Sequence, residues 1–159
     1  QYSLLLFIGW LEMDDIKKFR QLGSRTPGHP EVEMPGVECT TGPLGQGFAM
    51  GTGMANAEAY LRNRFSSKEK NSSQLVDHYT YVLASDGELQ EPVTLGSASL
   101  AGHLGLSRLI VFYDANSAQI SGDTDRSDST DYATVFKGFK WHVQEIDGHD
   151  HEQLNHAIQ

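Results

Sequence analysis

Two short apolar runs, each ending in a small polar cluster, are the feature that most constrains the fold of this 159-residue chain. Residues 79–84 lead into Asp86 and Gly87, and residues 108–113 lead into Asn116. Both runs are rich in β-branched and aromatic residues, which is typical of strands buried in a parallel sheet. The segment between them is long enough for a crossover helix, so the sequence predicts two parallel strands joined by a helix.

The polar clusters mark a candidate site, because ligands of open α/β sheets bind at the carboxyl ends of the strands. If the two strands are neighbours, the carboxylate of Asp86 and the amide oxygen of Asn116 meet at one edge of the sheet. With a main-chain carbonyl near Ala118, these hard oxygens suit Mg²⁺ or Ca²⁺ better than zinc. Gly87 lets the main chain approach a phosphate closely. A metal-bound diphosphate site is one interpretation, and an ordinary Asp-Gly turn is the other.

The rest of the chain alternates helices with strands. We expect a short helix from Asp14 or Asp15 to Leu22, a long loop over 23–44, and a tightly packed helix over 45–65. A polar surface loop over 66–77 precedes the first strand. Helices are also predicted over Pro92–Leu104, from Asp131 and after Asp150, and a third strand over 141–146. This order predicts an α/β protein with three α/β/α layers, a mainly parallel sheet and right-handed crossovers.

Composition indicates which classes of binding partner and which cellular compartment are compatible with this chain. The formal net charge of −9 argues against nucleic acid or an anionic membrane surface as the main partner, since both require basic patches. The single Cys39 excludes an internal disulfide and favours a reducing compartment, so we expect a cytoplasmic protein. No apolar run approaches the ~20 residues needed to cross a bilayer.

Several motifs resemble, in chain order, the diphosphate-binding domain of the transketolase family. They are the runs at 26–31 (TPGHPE), 40–47 (TTGPLGQG), 77–81 (DHYTY), 86–87 (DG), 99–104 (SLAGHL) and 147–150 (DGHD), together with Glu91 and Asn116. The resemblance covers almost the whole chain with compatible spacing. It implies a thiamine diphosphate-binding fold, here incomplete at both ends, and transfer of a two-carbon ketol unit from a ketose phosphate to an aldose phosphate.

The resemblance assigns a role to each matching residue. Asp86, Asn116 and the main-chain carbonyl of Ala118 match the family's ligands for Mg²⁺ or Ca²⁺, and Gly87 and Asn116 match its diphosphate contacts. The loop formed by Gly42, Pro43 and Leu44 matches the segment that lies against the aminopyrimidine ring of thiamine diphosphate.

Two further residues carry expected catalytic roles from the same resemblance. His29 matches a histidine near the reacting end of the cofactor, where an imidazole can hydrogen-bond a substrate hydroxyl or assist proton transfer near neutral pH. Glu91 resembles a glutamate near the dimer interface between two cofactor sites, and it is also expected to cap the following helix.

The resemblance also implies partners that this chain does not contain. In the family the cofactor lies between this domain and the pyrimidine-binding domain of another subunit, so we expect a homodimer acting on sugar phosphates. We interpret 1–159 as a single diphosphate-binding domain excerpted from a longer chain, without the pyrimidine-binding and C-terminal domains. On its own it is expected to be inactive.

Two departures from the family pattern leave alternatives open. Ser85 stands where the family usually has glycine before the metal aspartate, and Pro92 stands where it usually has glycine after the glutamate. One alternative is therefore a noncatalytic or degenerate transketolase-like binding or interaction module. Another is a related enzyme with a different acceptor, of the dihydroxyacetone synthase type.

Overall fold

The computed structural model describes residues 1–65 and 75–159, so most of the loop predicted over 66–77 lies outside the described residues. The chain divides into two units, Gln1–Gly47 and Phe48–Gln159. The long helix α3 (Gln46–Phe65) begins at the end of the first unit and belongs mainly to the second.

The first unit contains helices α1 (Tyr2–Phe7) and α2 (Met13–Lys17), followed by a long irregular loop. A small apolar cluster of Leu5, Leu11 and Val37 holds it together. The prediction that α2 extends to Leu22 is wrong. The helix ends at Lys17, because Arg20 adopts a left-handed conformation (φ 63°) and donates its main-chain N–H to the carbonyl of Thr26 at 2.8 Å.

The start of α2 also differs from expectation. Glu12, rather than Asp14 or Asp15, is the residue that precedes the first turn. Asp15 instead reaches back from within that turn, and its carboxylate accepts the main-chain N–H of Glu12 at 2.9 Å. The acidic side chain still satisfies a free N–H at the helix start, but it does so from the third helical position.

The second unit is built on two parallel strands, β1 (Thr80–Ser85) and β2 (Leu109–Asp114). They pair in register from Thr80 opposite Leu109 to Ser85 opposite Asp114. The remaining elements of this unit are α4 (Asp86–Leu89), α5 (Pro92–Leu104), the short antiparallel pair β3 (Ala118–Gln119) and β4 (Gly122–Asp123), a 3₁₀ turn (Thr124–Arg126), α6 (Tyr132–Gly138) and α7 (His151–Ile158). The predicted α/β class and the parallel sheet are confirmed.

Helix α3 packs directly on one face of β1. Gly51 and Ala55 are buried, and a Cβ added to Gly51 would overlap the side chain of Val82. The predicted tight packing of this helix is therefore confirmed at Gly51 and Ala55. The core is completed by buried residues from α3, β1, the α4–α5 region, β2 and α6: Phe48, Ala84, Leu89, Ala98, Ala101, Leu109, Tyr132 and Phe136.

The prediction of a third strand over 141–146 is wrong. Among the described residues, β2 pairs with β1 alone, and 141–146 joins no ladder. An open groove of about 1170 Å³ lies between β2 and this segment, and His142 and Gln144 line it. The segment is fixed instead through Trp141, whose indole N–H donates to the carbonyl of Ala98 at 2.9 Å. Without a neighbouring backbone at about 4.8 Å, strand hydrogen bonds cannot form.

A buried ion cluster joins α3 to the start of β2. The carboxylate of Glu58 is 1% exposed and accepts from Nε of Arg62 at 2.8 Å, with Nε of Arg108 at 3.5 Å. Arg108 also pairs with Asp77 and lies over the ring of Tyr79, 5.3 Å from its centroid. Glu58 therefore balances two guanidinium groups at a site that water scarcely reaches.

We expect Glu58→Gln to lower the free energy of unfolding by about 3 kcal/mol, because it removes the buried carboxylate that two partly buried guanidinium groups share. Urea denaturation of the parent and the variant would measure this difference. Asp14→Asn is the matched control, since the Asp14–Lys17 pair is exposed on both sides and such pairs contribute little. Equal effects of the two substitutions would contradict a stabilising role for the buried cluster.

Candidate functional site

The parallel register brings the two predicted strand ends together. Asp86, the first residue of α4, directly follows β1, and Asn116 lies two residues beyond the end of β2. Oδ2 of Asp86 accepts the main-chain N–H of Asn116 at 3.2 Å. The two residues therefore lie at the same edge of the sheet, as expected, and the contact between them is made by the main chain of Asn116.

Asp86 is almost fully enclosed, with 7% of its surface exposed. Its second oxygen, Oδ1, accepts a hydrogen bond from the hydroxyl of Tyr113 at 2.5 Å. Burial and this hydrogen bond to Asp86 raise the pKa of Tyr113 above its ordinary value, so the phenol remains a donor at neutral pH. Both carboxylate oxygens are thus oriented by donors that follow or belong to β2.

Asn116 closes a tight turn at the end of β2. Its Oδ1 accepts the main-chain N–H of Ala118 at 2.9 Å, and its Nδ2 donates to Asp114 at 3.1 Å. Ser117, inside the turn, has a positive φ of 58°. The side chain of Asn116 therefore fixes the main chain at Ala118, whose carbonyl is the third predicted ligand.

A second carboxylate–tyrosine pair lies beside the first. The hydroxyl of Tyr132 donates to Asp128 at 2.5 Å, and the rings of Tyr132 and Tyr113 meet edge to face with centroids 6.0 Å apart. Thr130 donates to the other oxygen of Asp128 at 2.5 Å. The hydrogen bonds from Thr130 and Tyr132 lower the pKa of Asp128, which keeps it ionised at neutral pH.

Three polar side chains tie the end of α4 to the loop that follows β2. Gln90 donates to Gln119 at 3.3 Å, and Gln119 donates to Ser127 at 2.8 Å. The hydroxyl of Ser127 lies 3.5 Å from the side-chain oxygen of Gln90, which completes the ring. This ring holds β3, and with it Ala118, against the residue that precedes Glu91.

Glu91 stands where the sequence predicts, at the residue before α5, and Pro92 occupies the first helical position. The carboxylate of Glu91 accepts no hydrogen bond from the first turn of α5, so the predicted side-chain cap does not form. Gly87 is the second residue of α4, and Ser85 precedes α4 in an extended conformation without capping it. The carboxylate of Glu91 is therefore not committed to helix capping.

The remaining predicted site residues belong to the first unit. Gly42 has a φ of +148°, and a Cβ there would lie 2.8 Å from Cγ of His29 and 2.9 Å from its Nδ1. The carbonyl of Pro43 accepts the N–H of Gln46 at 3.4 Å as the loop enters α3, and Leu44 is 47% exposed. The backbone of the glycine loop thus packs against the imidazole of His29.

Six hydrogen-bonded residues near Asp86 and in the loop that follows β2 were not predicted from the sequence. They are Tyr113, Tyr132, Asp128, Gln90, Gln119 and Ser127. Tyr113 reads as one more apolar strand residue, since it ends a hydrophobic run. Only its position one residue before Asp114, at the polar end of the strand, could have drawn attention to it.

The donor set at the strand ends fits a hard divalent cation. A carboxylate, an amide oxygen and a main-chain carbonyl are the oxygens that Mg²⁺ and Ca²⁺ take, with water and phosphate completing the shell. Over 1–65 and 75–159, no three His, Cys, Asp or Glu side chains converge on a common point. Within the same ranges, no helix has both the length and the apolar character of a membrane span.

Comparison with known proteins places the whole chain in one family. Residues 1–159 match the family described as "Transketolase, thiamine diphosphate binding domain". A transketolase from Staphylococcus epidermidis is 49% identical over 159 residues, which cover 99% of this chain and 24% of the relative. The chain therefore spans about a quarter of the length of the curated relatives it matches.

Solved structures give the same result. Transketolase from Leishmania mexicana superposes with a TM-score of 0.92 at 48% identity, over 99% of this chain and 24% of that one. A transketolase from Pichia stipitis, in complex with sedoheptulose 7-phosphate, superposes with a TM-score of 0.91 at 43% identity, over 99% of this chain and 23% of that one. From residue 1 to residue 159, this chain belongs to the transketolase family and corresponds to its thiamine diphosphate-binding domain.

Proposed function

We propose that the polypeptide carrying this sequence is a transketolase, in which this domain anchors the diphosphate of thiamine diphosphate through Mg²⁺ or Ca²⁺. The observation that carries the proposal is the contact between Asp86 and Asn116 at the ends of two paired parallel strands. Family membership supports the activity, and the relative solved with sedoheptulose 7-phosphate supports sugar phosphates as substrates.

In this proposal each residue at the strand ends has one task. Asp86 holds the cation with its carboxylate, Asn116 with its amide oxygen and Ala118 with its main-chain carbonyl. Gly87 and Asn116 contact the diphosphate. The amide oxygen of Asn116 accepts the N–H of Ala118 in this structure. To bind a cation, this oxygen must either coordinate it while keeping that hydrogen bond or give the hydrogen bond up. Bound thiamine diphosphate supplies the carbon centre that carries the two-carbon unit between sugars.

The predicted site residues of the first unit are proposed to contact the reacting end of thiamine diphosphate and its substrate. Gly42, Pro43 and Leu44 lie against the aminopyrimidine ring, and His29, packed on Gly42, hydrogen-bonds a substrate hydroxyl. Glu91 retains a carboxylate that caps no helix and is proposed to act near the interface with a second subunit. That subunit provides the pyrimidine-binding domain, and the assembled homodimer works in the cytoplasm.

The test is a ketol-transfer assay on the complete polypeptide, with xylulose 5-phosphate as donor and ribose 5-phosphate as acceptor. We expect activity that disappears after chelation and returns when Mg²⁺ or Ca²⁺ is added with thiamine diphosphate. A cofactor-loaded dimer that transfers no ketol unit would refute the proposal. Activity with formaldehyde but not ribose 5-phosphate would favour the dihydroxyacetone synthase alternative.

The noncatalytic alternative depends on Ser85 and Pro92. Neither residue disturbs the local backbone, since Ser85 is extended and Pro92 occupies the first helical position, where its missing N–H costs no helical bond. Titration calorimetry of the assembled protein with thiamine diphosphate and Mg²⁺ separates the two cases. Micromolar binding supports the enzyme, and absence of binding supports a degenerate module.

The packing of Gly42 against His29 leads to a further prediction. We expect Gly42→Ala to lower kcat/KM for xylulose 5-phosphate by about tenfold or more, because the new Cβ displaces the imidazole from its place. The positive φ adds backbone strain for any L-residue. Gly53→Ala, in α3 with open space around its Cβ, serves as the control. Equal kinetics for the two variants would contradict a role for this contact.

A further inference from the structure

We propose that Tyr113 is a positioning residue for Asp86, whose hydroxyl sets the orientation of the carboxylate that receives the divalent cation. This inference rests on the proposed function and extends it to a residue outside the predicted ligand set. It is carried by the hydrogen-bond pattern around Asp86 and by the anchoring of the Tyr113 ring.

The first observation is that, within the described part of the chain, each oxygen of Asp86 has a single donor and both donors come from the end of β2. Oδ1 receives the hydroxyl of Tyr113 at 2.5 Å, and Oδ2 receives the N–H of Asn116 at the longer distance of 3.2 Å. Since both bonds end on the same carboxylate, the shorter one is the stronger constraint on its orientation. Of these two described contacts, only the weaker would orient Asp86 once the hydroxyl is removed.

The second observation is that Tyr113 is itself held on two sides. Its main chain belongs to β2, where it lies opposite Ala84 of β1. Its ring meets the edge of Tyr132, which is buried and hydrogen-bonded to Asp128. A ring fixed by both backbone and neighbour can hold its hydroxyl in one place, as an orienting partner of a metal ligand must.

The test uses the complete polypeptide stripped of metal, and compares Tyr113→Phe with the parent. We expect the Mg²⁺ concentration for half-maximal cofactor binding to rise about tenfold, since outer partners of metal ligands typically contribute 10- to 100-fold to affinity. At saturating Mg²⁺, the affinity for thiamine diphosphate should stay within about twofold of the parent. This split distinguishes positioning of Asp86 from general damage to the fold, which would weaken both.

Tyr81→Phe is the matched control, because Tyr81 lies on the exposed face of β1 with 62% of its surface accessible. It should leave the Mg²⁺ requirement unchanged. If Tyr113→Phe also leaves the Mg²⁺ requirement unchanged while the parent binds normally, the positioning role is overturned and the proposed function is not. If the parent binds no Mg²⁺ with thiamine diphosphate, the proposed function fails, and this inference fails with it.

A second measurement does not depend on the stability of Tyr113→Phe. With 3-fluorotyrosine placed at position 113, the ¹⁹F resonance should shift when Mg²⁺ and thiamine diphosphate saturate the protein, because the hydroxyl contacts the carboxylate that binds the cation. The same label at Tyr81 should not respond. An unchanged resonance at position 113 during a titration that does saturate the protein would overturn the proposal.

Discussion

Replacing Asp86 with alanine should abolish ketol transfer and raise the Mg²⁺ needed for cofactor binding by at least about 100-fold. The expectation follows from the role of the carboxylate as the one charged ligand in the proposed set, and from the 10- to 100-fold cost of losing even an outer partner of a metal ligand. Cofactor titrations at fixed thiamine diphosphate and increasing Mg²⁺, followed by calorimetry, would measure the change.

The control for this prediction is Asp125→Asn, an exposed acidic residue in the 3₁₀ turn. It removes the same charge from the same unit and should leave both activity and the Mg²⁺ requirement close to the parental values. Parental metal affinity in Asp86→Ala would show that the strand ends do not hold the cation, and the proposed anchor would have to be abandoned.

A comparably large effect, on stability rather than activity, is expected from Gly102→Ala. Gly102 lies in α5 where the chain after α6 crosses it, and a Cβ there would overlap the main-chain carbonyl oxygen of Phe139. Since a backbone oxygen cannot rotate away, α5 and the segment at 139–141 would have to separate. We expect the free energy of unfolding to fall by about 3 kcal/mol, the upper end of typical overpacking costs.

Gly96→Ala provides the comparison within the same helix, because nothing lies within 4 Å of a Cβ at that position. Alanine has a higher helix propensity than glycine, so the free energy of unfolding of this variant, measured by urea denaturation, should rise by roughly 0.5–1 kcal/mol. The two substitutions change the same atoms and should move stability in opposite directions. A loss of similar size at both positions would show that glycine is needed in α5 for another reason.

Local sequence signals located most of the helices. Pro92 marks the first turn of α5, and the helix ends at Leu104 as predicted, with Gly105 following it at a φ of +61°. Asp131 and Asp150 precede α6 and α7, and their carboxylates accept main-chain N–H groups of the first turns. These features were predictable because a helix end is satisfied by residues within four positions in the chain.

Two of the wrong predictions, the strand over 141–146 and the end of α2, concern features set by residues outside the local segment. The segment at 141–146 has the composition of a strand, yet it forms none, because no backbone of the described residues lies beside it to pair with. Helix α2 stops at Lys17 because the N–H of Arg20 turns to the carbonyl of Thr26. In both cases a non-local hydrogen-bond partner, present or absent, overrode the local pattern.

In the candidate site, too, some residues were predictable from the local sequence and others were not. Asp86 and Asn116 were predictable because polar residues at the ends of neighbouring parallel strands meet at one edge, whatever the details of packing. Tyr113 was not, since its hydroxyl finds Asp86 only after β1 and β2 pair and α4 turns over the strand end. The same is true of Glu58, whose partner Arg108 lies fifty residues along the chain.

By itself the sequence determined the α/β class, the positions of most helices and the family, and it predicted the ligand residues. These depend on periodicity, capping residues and motif spacing, which are properties of short segments. Only the tertiary structure decided that Tyr113 bonds to Asp86, that the ring of Tyr132 contacts Tyr113 and that 141–146 pairs with no strand among the described residues. A hydrogen bond between distant residues requires a distance and an angle, and only the folded chain sets these.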